Sequence, residues 1–160
     1  MPGVILDTDF LSSFLKIGQL DLVRLYFQVG DVLVTDAVVG ELARAGLLDR
    51  VAALPWVHVR TGDLLPNRST QQRLGPLEAG ETSPIALALV TPDGALLTND
   101  RRADRAAARL GVTVLDIPGF LAACKASGLL DRESLAATVK DPRDKDHYQF
   151  AARVLGFLLS

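Results

Sequence analysis

Short, continuously apolar runs alternate along the chain with segments whose apolar residues recur every three or four positions. The runs predict five β-strands, at Val4–Leu6, Val32–Thr35, Val57–Arg60, Ala95–Thr98 and Val112–Leu115. The other segments predict helices, at Phe10–Ile17, Leu20–Gln28, Ala37–Ala45, Leu47–Leu54, Glu81–Val90, Arg102–Leu110, Phe120–Ser127, Arg132–Lys140 and Tyr148–Leu158. Helices therefore follow most of the strands, which is the order expected of an α/β protein.

This alternation predicts a single-domain, three-layer α/β fold in which helices cover both faces of a parallel sheet. A length of 160 residues fits one domain. We predict that the main domain spans residues 1–140 and that residues 141–160 form a C-terminal helical extension, because Asp141-Pro142 interrupts the helical pattern. The polar stretch Thr61–Pro76 predicts a long loop.

Carboxylates occur where the predicted strands end. Asp7 follows the first strand directly, Asp100 follows the fourth, and Glu41 lies about one turn into the helix after the second strand. Glu81 begins another predicted helix, and Asp104 is a candidate fifth member. Ligands of parallel sheets bind outside the carboxyl ends of the strands. The sequence therefore predicts that these acids meet at one edge of the sheet.

A cluster of acids without a nearby Lys, His or Cys needs a cation. Oxygen-only ligands suit Mg²⁺ or Mn²⁺, and such ions can activate water and stabilise the leaving oxygen when a phosphodiester is cleaved. The acids thus predict a metal-dependent nuclease. For each acid taken alone, the alternative is a helix cap or a solvated surface residue.

Three hydroxyl side chains lie near these acids in the sequence. Thr8 follows Asp7, and Ser12 lies five residues after it, so either could hydrogen-bond to the site. The alternative is that Thr8 or Asp9 caps the helix. Thr98 precedes the fourth acid by two residues and could orient it, or be an ordinary β-branched strand residue. We therefore name Thr8, Ser12 and Thr98 as candidates for hydrogen bonds that support the metal-binding acids.

Arginines cluster just after the fourth acid. Arg101, Arg105 and Arg109 are spaced four residues apart and Arg102 lies beside them, which places positive charge next to the predicted metal site. These side chains could bind RNA phosphates; the alternative is a solvated helix face partly paired with Asp104. The chain has few aromatic residues, and we find no platform on which bases would stack.

The bulk composition bears on partners and location. A mean hydropathy of +0.25 predicts more apolar surface than one small domain buries, and hence self-association or a partner, with a well-filled monomeric core as the alternative. No apolar stretch approaches the roughly 18 residues of a membrane span, and the N-terminus lacks the basic start of a signal peptide. These features predict a cytoplasmic protein.

Four segments in this order resemble the motifs of PIN-domain proteins, in particular the small prokaryotic branch related to VapC-type toxin ribonucleases. The segments are Val4–Leu11, Val34–Leu42, Gly80–Ala88 and Leu97–Asp100. The resemblance implies a five-stranded parallel sheet, Mg²⁺- or Mn²⁺-dependent cleavage of single-stranded RNA, a homodimer and, in the toxin branch, an antitoxin protein as partner.

The resemblance also implies which acids are catalytic. By motif, they fall on Asp7, Glu41, Glu81 and Asp100. The commoner family pattern has Asp at the third position with Ile three residues later, whereas here Glu81 is followed by Ile85 four residues later. Direct contact of Glu81 with the metal and contact through water both stay open.

Two other functions remain as alternatives. Asp7-Thr8-Asp9 after a strand would suit a haloacid-dehalogenase-like phosphatase with Asp7 as the nucleophile. That chemistry usually needs a Thr where this chain has Leu11, and a Lys before the last acidic motif, whereas none lies between Lys16 and Lys125. The other alternative is a PIN-like scaffold that binds RNA or protein without cutting, although four retained acids disfavour it.

Overall fold

The computed structural model describes residues 3–60 and 79–129. Its elements, in chain order, are β1 (Val4–Leu6), α1 (Thr8–Ile17), α2 (Asp21–Phe27), β2 (Val32–Thr35), α3 (Asp36–Arg44), α4 (Leu48–Ala52), β3 (Val57–Arg60), α5 (Ala79–Val90), β4 (Ala95–Leu97), α6 (Arg101–Arg109), β5 (Thr113–Leu115) and α7 (Ile117–Ala126). The five strands are confirmed to within one residue. The predicted loop Thr61–Pro76, the last two predicted helices and the boundary at residue 140 lie outside the described residues.

The five strands form one parallel sheet in the order β3-β2-β1-β4-β5. In β1, Ile5 pairs with Leu33 of β2 on one side and with Leu96 of β4 on the other. The chain builds the sheet outward from β1 to β3 and then crosses back to place β4 on the other side of β1. This change of direction makes a crevice at the carboxyl ends of β1 and β4, where parallel sheets bind ligands.

Apolar residues pack on both faces of the sheet, which confirms the three-layer α/β fold. Val4 and Leu6 belong to one buried cluster and Ile5 to the other, because successive side chains of a strand point to opposite faces. In the first cluster, the rings of Phe10 and Phe14 stack with centroids 4.7 Å apart, and Phe120 of α7 meets both edge-on. The second cluster joins α5 and α6 to the sheet.

Four helices follow a strand with at most three residues between them, and each is capped by a side chain at that junction. The caps are Asp7 for α1, Thr35 for α3, Asp100 for α6 and Asp116 for α7, and all four accept a hydrogen bond from a backbone N–H in the first turn. These capping interactions explain why α1 and α7 begin earlier than their apolar pattern predicted.

No helix among the residues that the structure describes is long and apolar enough to cross a membrane.

Candidate active site

Asp7 lies at the centre of the sheet edge and is only 5% exposed. Its Oδ1 accepts a hydrogen bond from the N–H of Phe10 at 3.0 Å, and its own N–H donates to the carbonyl of Leu97 at 3.1 Å. Burial raises the pKa of Asp7 to about 7, and repulsion by Asp9 and Asp100 adds to this, although hydrogen bonds from Thr98 and Phe10 partly oppose the rise. The site therefore holds a carboxyl group that is costly to ionise.

Thr98 connects two of the predicted acids. Its side chain is completely buried, and its hydroxyl donates to Oδ2 of Asp7. Oγ1 of Thr98 also accepts a hydrogen bond from the N–H of Asp100 at 3.1 Å. The N–H of Thr98 donates to the carbonyl of Leu115 in β5 at 3.1 Å, which fixes the residue in the sheet. The sequence suggested an interaction with the fourth acid alone, whereas the hydroxyl contacts both.

Glu41 and Asp9 belong to the same electrostatic cluster. Partial burial raises the pKa of Asp9, and the negative charges of Asp100 and Glu41 raise it further. The negative charge of half-buried Glu41, on α3, is thus close enough to contribute to the raised pKa of Asp9. From the sequence alone, Asp9 is predicted only as a helix cap or as the acid of a phosphatase. Its position in the first turn of the helix capped by Asp7 is the signal that could have placed it here.

The remaining candidate residues are placed as follows. Glu81 lies in the first turn of α5, but its side chain is outside the described structure. Asp104 is half-buried on α6, and its N–H donates to the carbonyl of Asp100 at 2.9 Å. The Ser12 hydroxyl donates to the carbonyl of Asp9 at 3.2 Å, whereas Oγ1 of Thr8 is buried without a hydrogen-bond partner in the described structure.

The arginines lie on the solvent side of α6. Arg101, Arg102, Arg105 and Arg109 are all exposed. The opposite side of the helix is made of three buried alanines, at positions 103, 106 and 107. Since Asp100 caps this helix, its first turn places positive charge directly beside the acid cluster.

The acids suit a divalent cation by their chemistry. They offer only oxygen atoms, and they repel one another around a buried carboxyl group, which is a cost that a bound cation would relieve. Among the side chains of the described residues, no three from His, Cys, Asp and Glu are grouped closely enough to hold a metal ion. The donor set thus fits Mg²⁺ or Mn²⁺, and the described side chains by themselves do not complete a ligand shell.

Comparison with known proteins assigns the family. No curated protein matches the chain. A family model described as a PIN domain matches residues 3–156, which is nearly the whole chain. PIN domains are usually nucleases that act on nucleic acid and generally use divalent metals. From this match, and from a five-stranded parallel sheet with acids at its carboxyl edge, the chain belongs to the PIN-domain family.

Proposed function

We propose that the protein is a metal-dependent ribonuclease that hydrolyses phosphodiester bonds of single-stranded RNA. The observation that carries the proposal is the environment of Asp7. A buried carboxyl group with a pKa of about 7, repelled by Asp9 and Asp100, destabilises a protein when it ionises. Such a group has an evident use at a site that binds a cation, and it lies at the topological switch point of the sheet, between β1 and β4.

In this proposal Asp7, Glu41, Glu81 and Asp100 are the catalytic acids that hold Mg²⁺ or Mn²⁺, and Asp104 is a fifth candidate ligand. When bound, the ion supplies the Lewis acidity that activates water for attack on phosphorus and neutralises the charge that develops there.

Hydroxyl groups support these acids. Thr98 fixes the rotamer of Asp7 by donating to its Oδ2, and it holds the backbone of Asp100 by accepting the hydrogen bond of the Asp100 N–H. Both acids therefore keep their place at the sheet edge. The Ser12 hydroxyl contacts the backbone of Asp9, and Thr8 follows Asp7 in the chain. We propose that Thr8, Ser12 and Thr98 support the metal-binding acids through hydrogen bonds.

We further propose that Arg101, Arg102 and Arg105 bind the phosphates of the RNA. They are exposed in the first turns of α6, immediately after Asp100, so a strand lying over the acids would meet them. Their role is to bind substrate and to offset the negative potential of the site, which would otherwise repel RNA.

A homodimer and an antitoxin partner, as in the VapC-related branch, complete the proposal. The apolar residues of α2 do not supply a dimer surface, because Leu22 and Val23 are buried while Tyr26 and Phe27 pack against Phe120. Apolar surface remains elsewhere. Leu25 is 54% exposed, and a cavity of about 490 Å³ beside α1, α2 and α4 has a largely apolar lining.

Membership of the PIN-domain family disfavours the phosphatase. A non-catalytic scaffold would not explain why the protein buries Asp7, whose ionisation destabilises the fold.

Asp100→Asn, with Asp116→Asn as its control, tests the proposal. Both residues cap a helix at the same sheet edge, and Asn caps nearly as well as Asp, so both variants should fold. With Mn²⁺ and a labelled single-stranded RNA, we expect Asp100→Asn to lose at least about 100-fold in cleavage rate, beyond most losses at outer-shell residues. Asp116→Asn should cut normally.

Thermal melts give a second measurement on the same proteins. If the metal dissociation constant is K, an ion concentration of ten times K adds about 1.4 kcal/mol to the free energy of unfolding. We expect that shift in the wild type and in Asp116→Asn, and a smaller one in Asp100→Asn. An inactive wild type that is not stabilised by Mg²⁺ or Mn²⁺ would refute the proposed function.

A further inference from the structure

Two hydroxyl groups join the sheet to a helix on which a predicted acid lies. Oγ1 of Thr35, at the end of β2, is 2.8 Å from Oγ of Ser83 in α5. Thr35 is fully buried, and its Oγ1 also accepts a hydrogen bond from the N–H of Val38 at 3.3 Å, which caps α3. One oxygen atom therefore fixes the start of α3 and contacts the first half of α5.

The first turn of α5 needs such an external contact. Pro84 lies inside this helix and has no N–H to donate to the carbonyl of Gly80, so one of the hydrogen bonds that normally hold a first turn cannot form. Glu81 belongs to that turn. Its backbone is therefore held less firmly by its own helix than a residue in an uninterrupted helix would be.

The contact also joins the two helices that carry the middle pair of acids. Glu41 lies on α3 and Glu81 lies on α5, and these helices contact each other as well as β2. A shift of the first turn of α5 would move Glu81 relative to Glu41. The bond between Ser83 and Thr35 spans 48 positions of the chain and opposes that shift.

We propose that Ser83 is a positioning residue for Glu81: its hydrogen bond to Thr35 holds the first turn of α5 at the carboxyl edge of the sheet. This inference rests on the proposed function, in which Glu81 helps to bind the metal. Ser83 itself contacts neither metal nor RNA, and it acts through the geometry of its helix.

Mn²⁺ binding to the whole protein, measured by calorimetry, tests the inference without relying on activity. We expect Ser83→Ala to weaken Mn²⁺ binding roughly tenfold, the lower end of what outer-shell residues contribute. Ser83→Thr keeps the hydroxyl and should restore most of the affinity. The matched control is Ser127→Ala, since the Ser127 hydroxyl also makes a part-buried hydrogen bond, but donates only to the carbonyl of Cys124 in α7. This control should bind Mn²⁺ as the wild type does.

Glu81→Gln distinguishes positioning from a general loss of structure. If Ser83 acts through Glu81, adding Ser83→Ala to Glu81→Gln should weaken Mn²⁺ binding little further. A full tenfold additional loss in the double variant, or unchanged binding in Ser83→Ala, would overturn the inference while the wild type still binds metal. A wild type that binds no Mn²⁺ overturns the proposed function, and the role of Ser83 with it.

Discussion

Asp7 performs two tasks with one carboxyl group. One oxygen caps α1 and the other accepts the Thr98 hydroxyl, so neither leaves the sheet edge. Both hydrogen bonds favour the ionised form, yet burial and the charges of Asp9 and Asp100 outweigh them and raise the pKa. Hydrogen bonds thus fix the position of the carboxyl group, although its ionised form is unfavourable. A bound cation would stabilise that ionised form.

The metal-free protein should lose stability as pH rises, because of Asp7. Its pKa is about 7 in the folded protein and 3.8 as the ordinary value, so the folded state binds more protons between these limits and ionisation opposes folding. The contribution of Asp7 to the free energy of unfolding is fully present below about pH 4. It is lost as the pH rises through 7, by about 4 kcal/mol at most.

Urea unfolding in EDTA at pH 5 and pH 8 measures this fall. Asp7→Asn should remove most of the difference and be the more stable protein at pH 8, whereas Asp116→Asn should behave as the wild type. A wild type whose stability rises between these two pH values, relative to Asp7→Asn, would contradict the pKa of Asp7.

Thr98→Val tests the hydroxyl shared by Asp7 and Asp100. Valine keeps the shape but can neither donate to Asp7 nor accept from the N–H of Asp100. We expect a stability loss of about 1–3 kcal/mol at pH 8 and a roughly 10- to 100-fold lower cleavage rate. Thr98→Ser retains the hydroxyl and should keep most of both. If Thr98→Val cleaves RNA as fast as Thr98→Ser, the hydroxyl has no part in the site.

At the scale of elements, the sequence predicted where strands and helices lie because apolar periodicity and capping are local. Each strand of the sheet and the places of Asp7 and Asp100 followed from the pattern alone. The predicted starts of α1 and α7 lie two and three residues after the observed ones, because periodicity marks only the apolar positions and misses a capped first turn.

The contacts within the site could not be predicted in the same way. The bond between Thr35 and Ser83 joins residues 48 positions apart, and that between Asp7 and Thr98 joins residues 91 positions apart. Such pairs depend on the strand order, which local patterns do not determine. The raised pKa of Asp7 depends on its burial, which is likewise a property of the assembled fold.

The first turns of α6 should bind substrate without taking part in chemistry. Replacing Arg101 and Arg105 by Ala should weaken RNA binding and reduce the slope of log affinity against log salt by about 0.7 per lost phosphate contact, with little change in rate at saturating RNA. Arg50→Ala with Lys125→Ala removes the same charge from exposed positions on α4 and α7. An equal change of slope in both double variants would mean that only net charge matters.

At the scale of the molecule, the net charge of −2 gives no general attraction for RNA. In the proposed function, the exposed arginines of α6 supply local attraction among the described residues, and a cation neutralises the acids before a phosphate approaches them. The strand order brings the acids and the arginines together, since Asp7 and Asp100 follow the adjacent strands β1 and β4 and Asp100 also caps α6. The proposed cation site and the proposed RNA contacts are therefore neighbours in the fold.

The nature of the reaction is the last prediction, and Asp9 decides it. A PIN-type ribonuclease uses water as its nucleophile and should cut single-stranded RNA internally in Mn²⁺, leaving p-nitrophenyl phosphate intact. A phosphatase would use Asp7 as nucleophile and Asp9 as its acid. Because Asp9 acts on the cluster through its charge, Asp9→Asn should keep RNA cleavage within about tenfold of the wild type. Release of nitrophenol that disappears in Asp9→Asn, together with intact RNA, would reverse the assignment.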